Sequence, residues 1–163
     1  MNLKTEDIKT RFQEEGIRTV EIGQIKSYPS VTVASEDLVK SAIILKDEFG
    51  FDQLRDIVGV DCFTRENRFE CIYNLYSTKH LLRMFLRTRL DSKKPEVDSL
   101  SNIWKAANWA EREAYDMFGI YFHNHPDLRR IYMMEEYEYY PLRKDYPLMG
   151  LPGAVQLPDK NDI

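Results

Sequence analysis

From Leu82 to Leu90 the side chains alternate without interruption: Leu82, Met84, Leu86, Thr88 and Leu90 fall on one side, and Arg83, Phe85, Arg87 and Arg89 on the other. Successive side chains of a strand point to opposite faces, so this period of two predicts a half-buried strand. One face then lies on a core, and the other presents a basic surface to solvent or to a partner. Phe69, Cys71, Tyr73 and Leu75 repeat the alternation, and Leu54 to Cys62, with Ile57, Val58 and Val60, supplies a further strand. Thr19 to Ile25 and Val31 to Val33, joined across Tyr28-Pro29-Ser30, predict an earlier pair.

Helical signals separate these runs. Leu3, Ile8 and Phe12 recur at helical spacing within Met1 to Glu15. Ser35 is placed to cap a second helix, with Glu36 and Asp37 at the positive end of its dipole. Leu38, Ala42, Leu45 and Phe49 form its apolar stripe, and Gly50 ends it. Asp98-Ser99 opens a helical stretch through Trp104 to Ala107. Asn108 is placed to cap another helix, Trp109 to Phe118, which stops at Gly119. This order predicts an α+β fold, a mostly antiparallel sheet with helices packed on one face, over a core domain of residues 1–125.

Beyond His125-Pro126 no period is sustained, and prolines at 141, 147, 152 and 158 remove backbone donors and oppose helix. Residues 126–163 are therefore expected to be an extended C-terminal interaction segment. The segment is too aromatic for a disordered linker, so it should bury itself against its own domain or another chain.

With 163 residues there is room for one domain, and the net charge of −4 points to neither nucleic acid nor an anionic membrane surface. The start, Met1 to Gln13, lacks the basic and apolar regions of a signal peptide. Apolar runs such as Ala42 to Leu45 fall far short of the roughly 18 residues a spanning helix needs. Work at a membrane would require another chain to hold this one there. An iron–sulfur cluster takes four thiolates, and the chain has only Cys62 and Cys71, too far apart for a C-x-x-C pair. Adding His80, His123 and His125 does not give the spacing of a structural zinc site.

The densest motif runs from Trp109 to Ile131. On a helix, Arg112 and Asp116 stand at i, i+4 and can form an ion pair, while Glu113 and Asp116 stand at i, i+3. Converging carboxylates can serve as an acid/base pair. A charged, partner-facing helix explains the same residues, and no activated nucleophile or glycine-rich phosphate loop accompanies them. His123 and His125 share a face if that segment is a strand, and could take a metal; a rigid turn at His125-Pro126 is the plainer reading. Arg129 and Arg130 then offer forked donors to carboxylates.

Glu111-Arg112-Glu113, Tyr115 to Ile120, Phe122, His125-Pro126 and Leu128 to Ile131 resemble the signature of the 30 kDa (C-type) subunit family of respiratory complex I, NADH:quinone oxidoreductase. Tyr140-Pro141-Leu142-Arg143-Lys144-Asp145-Tyr146 resembles the family's second motif, and Ser99 to Trp109 its helical lead-in, with Lys105 where proline is usual. The resemblance implies a cofactor-free structural subunit of a proton-pumping enzyme, packed in its hydrophilic peripheral arm chiefly against the D-type subunit that holds the quinone site. NADH, FMN, iron–sulfur clusters and quinone would belong to partner subunits. It further implies a peripheral membrane protein on the cytoplasmic side of the bacterial inner membrane. Glu111, Arg112, Glu113, Asp116, His125, Pro126, Arg129, Arg130, Tyr140, Pro141, Arg143, Lys144 and Asp145 are the expected interface residues, with no catalytic, cofactor or metal ligand among them. Related subunits of photosynthetic NAD(P)H dehydrogenases and membrane-bound hydrogenases share the pattern. A stand-alone acid/base or metal enzyme using Glu113, Asp116, His123 and His125, or a generic protein-binding adaptor, are the alternatives from other classes.

Overall fold

The structure, a computed structural model, describes residues 5–147. Leu3 of the first predicted helix and the prolines at 152 and 158 lie outside the described residues. Helix α1 (Thr5–Glu14) leads into β1 (Thr19–Ile25) and β2 (Tyr28–Val33), then α2 (Leu38–Asp47), β3 (Gln53–Asp61), β4 (Phe69–Ser77) and β5 (Leu82–Leu90). These strands form one five-stranded sheet in the order β1-β2-β5-β4-β3. Every pairing in it is antiparallel except β2 with β5, which run parallel. The short strands β6 (Glu96–Asp98) and β7 (Tyr121–His123) pair in parallel on either side of α3 (Ala107–Phe118).

The alternation read in the sequence decides which sheet face is buried. Met84, Leu86, Thr88 and Leu90 of β5 and Phe69, Cys71, Tyr73 and Leu75 of β4 are buried, and join Ile8 and Phe12 of α1 and Leu38, Ala42 and Leu45 of α2 in one core. The opposite face is less basic than its three arginines, Arg83, Arg87 and Arg89, suggest. Arg87 pairs with Glu70 at 2.6 Å, and Arg89 with Glu21 at 2.6 Å. Arg83 lies over the Tyr28 ring.

Two predicted helix starts are displaced. Ser35 does not cap α2: residues Ser35–Asp37 form a 3-10 turn, and α2 begins at Leu38 without a side-chain cap. Asp37 is engaged elsewhere, accepting from the backbone N–H and guanidinium of Arg18 at 2.9 and 3.2 Å. The stretch predicted as helix from Asp98 onward is, up to Ala106, not a helix but the end of β6 followed by turns. The Leu100 N–H goes to the Glu111 carboxylate at 2.7 Å and the Ser101 N–H to the Ser99 hydroxyl at 3.1 Å. Donors captured by side chains in this way are lost to a helical ladder. Helix α3 begins at Ala107, so Asn108 lies within it rather than capping it.

Candidate docking site

Helix α3 carries an unusual load of buried polar groups for one twelve-residue helix: Glu111, Arg112 and Asp116 are all buried. A buried charge must find partners or shift its ionisation. Each of these residues meets that demand within its own chain.

Glu111 accepts the Leu100 N–H at 2.7 Å and the Ser99 hydroxyl at 2.5 Å. Burial pushes its carboxyl up to about 7, against the pull of those two hydrogen bonds. The His125 ring is buried 3.9 Å away. Its Nδ1 accepts the Asp127 N–H at 3.0 Å, which leaves the proton on Nε2 to donate to the Asn108 carbonyl at 3.0 Å. The neutral tautomer follows from those two bonds. His125 therefore pins the turn after β7 to the start of α3.

Asp116 is fully buried. Its Oδ1 accepts from Arg130 at 2.7 Å, and its Oδ2 accepts three successive backbone N–H groups, those of Ile131, Tyr132 and Met133, at 3.0, 2.7 and 3.0 Å. Burial opposes the charge, but the backbone donors and the guanidinium outweigh it and hold the carboxyl below its ordinary value. Arg112 does not pair with Asp116 as the i, i+4 spacing suggested. Its guanidinium donates to the Arg129 and Arg130 carbonyls at 3.0 and 3.3 Å and stacks over Trp109. Glu113 and Asp116 do not converge either, because Glu113 is exposed while Asp116 is buried under the strap of residues 129–133. That separation removes the acid/base pair.

The strap continues to the far end of α3, where a helix leaves carbonyls without intrahelical donors. Leu142 N–H donates to the Met117 carbonyl at 3.2 Å, and Arg143 Nε to the Phe118 carbonyl at 2.6 Å. Gly119 ends the helix in the left-handed region at φ 70°. A Cβ there would stand 2.6 Å from both Tyr140 and Arg143, so only glycine admits this close approach. Cations and rings then alternate across the sheet end. Arg130 lies over Tyr140, Arg143 over Tyr140 and Phe69, and Arg68 over Phe69 and Phe63, at 4.3–5.1 Å. Arg68 also forks onto Asp61 at 2.7 and 2.6 Å and reaches Asp145 at 2.9 Å, while Lys144 donates its N–H to Asp61 at 2.7 Å. The Asp61–Arg68 pair was not anticipated. Its signal was the register of two strand ends, in which Asp61 faces Phe69 beside Arg68.

The remaining expected residues are peripheral. Arg129 is exposed and folds back on Asp127 at 2.7 and 2.8 Å. Pro126 is exposed, and Pro141 and Tyr140 are half-buried. His123 and His125 do not share a face: Asn124, at φ 60°, turns the chain, leaving His123 exposed beside Glu96 at 3.2 Å while the His125 ring is buried. Among the described residues, no cluster of three or more His, Cys, Asp or Glu side chains could hold a metal ion. Among the charged side chains exposed here stand three large apolar or aromatic ones, Trp109, Tyr132 and Met134, exposed to 65, 66 and 70%.

Residues 31–151 match the family described as respiratory-chain NADH dehydrogenase, 30 kDa subunit. The chain belongs to this family. The NADH-quinone oxidoreductase C subunit of Geotalea uraniireducens is 40% identical over 131 residues, 80% of each chain. A NADH-quinone oxidoreductase C/D subunit of a Hydrogenobaculum strain is 41% identical over 88% of this chain and 24% of its own length. Among solved structures, a trypsin-resistant fragment of Nqo5 superposes with a TM-score of 0.64 at 30% identity, covering 77% of this chain and all of the fragment. As in its relatives of the 30 kDa family, the chain is a subunit of an oxidoreductase complex. No helix among its described residues is long and apolar enough to cross a membrane.

Proposed function

We propose that this chain is a structural subunit of the peripheral arm of a proton-pumping NADH:quinone oxidoreductase, packed chiefly against the D-type subunit that holds the quinone site. The observation that carries the reading is a division of labour around α3. Glu111, Arg112 and Asp116 have their polar atoms engaged inside the chain, whereas Trp109, Tyr132 and Met134 face outward. Large apolar and aromatic side chains on a rigid support are the usual anchors of a protein interface. The relative whose name joins C and D supports the D-type subunit as the neighbour.

On this reading the chain carries no cofactor, and NADH, FMN, iron–sulfur clusters and quinone are bound by partner subunits. It sits at the cytoplasmic face of a bacterial inner membrane, held there by other chains. The interface comprises the exposed members of the signature, Glu113, Pro126, Arg129, Lys144 and Asp145, with the exposed aromatic side chains beside them. Residues 126–163 form the interaction segment attached to a core of residues 1–125. Purification of a tagged chain from gently solubilised membranes tests this. Co-purification of a quinone-site subunit with NADH:quinone activity is expected. Recovery of the chain alone, or of stoichiometric iron, zinc or flavin on the isolated chain, would overturn it.

A further inference from the structure

Strand β3 is an end strand of the five-stranded sheet, and among the described residues it pairs with β4 alone; an edge of this kind is a template for an added segment. Between it and α3 runs a groove of about 260 Å³. Its floor is apolar: Ile57, Val58, Met117, Phe118 and Leu142 line it, with Gly59 admitting the Phe118 ring so closely that a Cβ would stand 2.6 Å from it. Val58 and Leu142 remain 43 and 53% exposed, large values for branched apolar side chains at one site. Two carboxylates, Asp56 and Glu113, also line the groove. Glu113 forms no ion pair among the described residues. Among the described residues, the Asp56 carboxylate accepts only its neighbour's backbone N–H, that of Ile57 at 2.9 Å. This contrasts with Asp61, Glu70 and Asp116 nearby, each paired with an arginine.

The groove thus combines an apolar floor with uncompensated negative charge, and a wrong-sign partner is disfavoured there by like-charge repulsion. The chain's own sequence after Pro147 holds Asp159 and Asp162 against a single Lys160, so it does not complement that charge. Resting on the subunit reading above, we propose that this groove docks an extended segment of a neighbouring subunit in the assembly. That segment lays an apolar side chain on Val58, Phe118 and Leu142 and sets flanking lysine or arginine side chains against Asp56 and Glu113. An edge strand accepts such a segment readily, since main-chain bonding supplies affinity and alternate side chains supply selectivity.

The test places a photoreactive p-benzoylphenylalanine at position 58 of the tagged full chain and irradiates the intact, gently solubilised complex. Leu142 is the second position, used if substitution at Val58 prevents assembly. The expected product joins this chain to a peptide of another subunit with a lysine or arginine within two residues of an apolar contact. Glu113→Lys should cut its yield at least fivefold, and Glu113→Gln by less. Cross-linking to residues 148–163 of the same chain, to a peptide lacking basic residues, or to nothing in an intact complex would overturn the groove assignment alone. If the tagged chain recovers no other subunit, the reading of function fails first and takes the groove with it.

Discussion

Arg112 and Asp116 stand one turn apart on α3 and do not bond to each other; they grip opposite groups of the same passing backbone. The guanidinium takes the carbonyls of residues 129 and 130, and the carboxylate takes the N–H groups of residues 131 to 133. Five consecutive residues are thereby held by their main chain. The opposite charges expected to neutralise each other on the helix instead polarise along the strap.

Asp116→Ala leaves the buried Arg130 guanidinium and three part-buried N–H groups without this acceptor. Loss of one partner of a buried charged pair costs about 3–5 kcal/mol. A correspondingly lower thermal midpoint and loss of the assembled complex are expected, whereas Asp116→Asn, which keeps an acceptor oxygen, should lose less. An assembled complex of normal content with abolished turnover would contradict the structural role. Because the folded carboxyl lies below its ordinary value of 3.8, its contribution is present above that pH and is lost as pH falls through the depressed value.

The linkage at Glu111 has the opposite sign. Its folded value of about 7 exceeds the ordinary 4.5, so the folded chain binds the extra proton between those limits. The stability associated with the protonated group is fully present below pH 4.5 and is lost as pH rises through about 7. One pKa unit is 1.36 kcal/mol, so wild type should lose roughly 3 kcal/mol across that window from this group. Glu111→Gln, still able to bond to Leu100 and Ser99, should remove this component. Denaturant melts of both proteins at pH 5 and pH 8 would show it. Identical pH profiles would dismiss the shift.

Gly119→Ala introduces a Cβ into the Tyr140 and Arg143 contact and strains a left-handed position at once. A penalty of about 1–3 kcal/mol is expected from overpacking together with lost backbone freedom. The C-terminal half of the strap should lift, so trypsin should cut at Arg143 and Lys144 faster than in wild type. Unchanged cleavage would show that the contact is dispensable.

A chain ending at Ile131 retains the sheet, α1 and α2 and their common core, and should still unfold cooperatively. It loses two of the N–H donors to Asp116 and the caps on the Met117 and Phe118 carbonyls. Net hydrogen bonds of about 1 kcal/mol each predict a drop of roughly 3–4 kcal/mol. Co-purification with other subunits should be lost. A non-cooperative melt would place the strap inside the core domain. Retained assembly would remove it from the interface.

The sheet was legible because alternation is a local signal: each residue of β4 and β5 declares its face by its position in the run. The stripe of α2 was legible for the same reason. What could not be read were the choices among long-range partners. Asp116 could satisfy its charge on Arg112, four residues away, or on Arg130, fourteen away. Helical spacing favours the first, and burial under the strap decides for the second. Likewise Ser99 looked like the opening of a helix until Glu111, twelve residues on, claimed the donors around it. The turn at Asn124 separated two histidines that spacing alone had placed together.

Arg130 apart, whose guanidinium Asp116 also takes, Arg112 and Asp116 read main-chain groups along residues 129 to 133; beyond that arginine they impose little vocabulary there, and proline is barred where an N–H must be given. Foldability and recognition are therefore written in separate alphabets along this stretch. Tyr132 and its neighbour Met134 can drift to suit a changing counterpart while the helix goes on holding the same five peptide units. A protein that must co-evolve with its neighbours can in this way exchange its contacts without renegotiating its own fold.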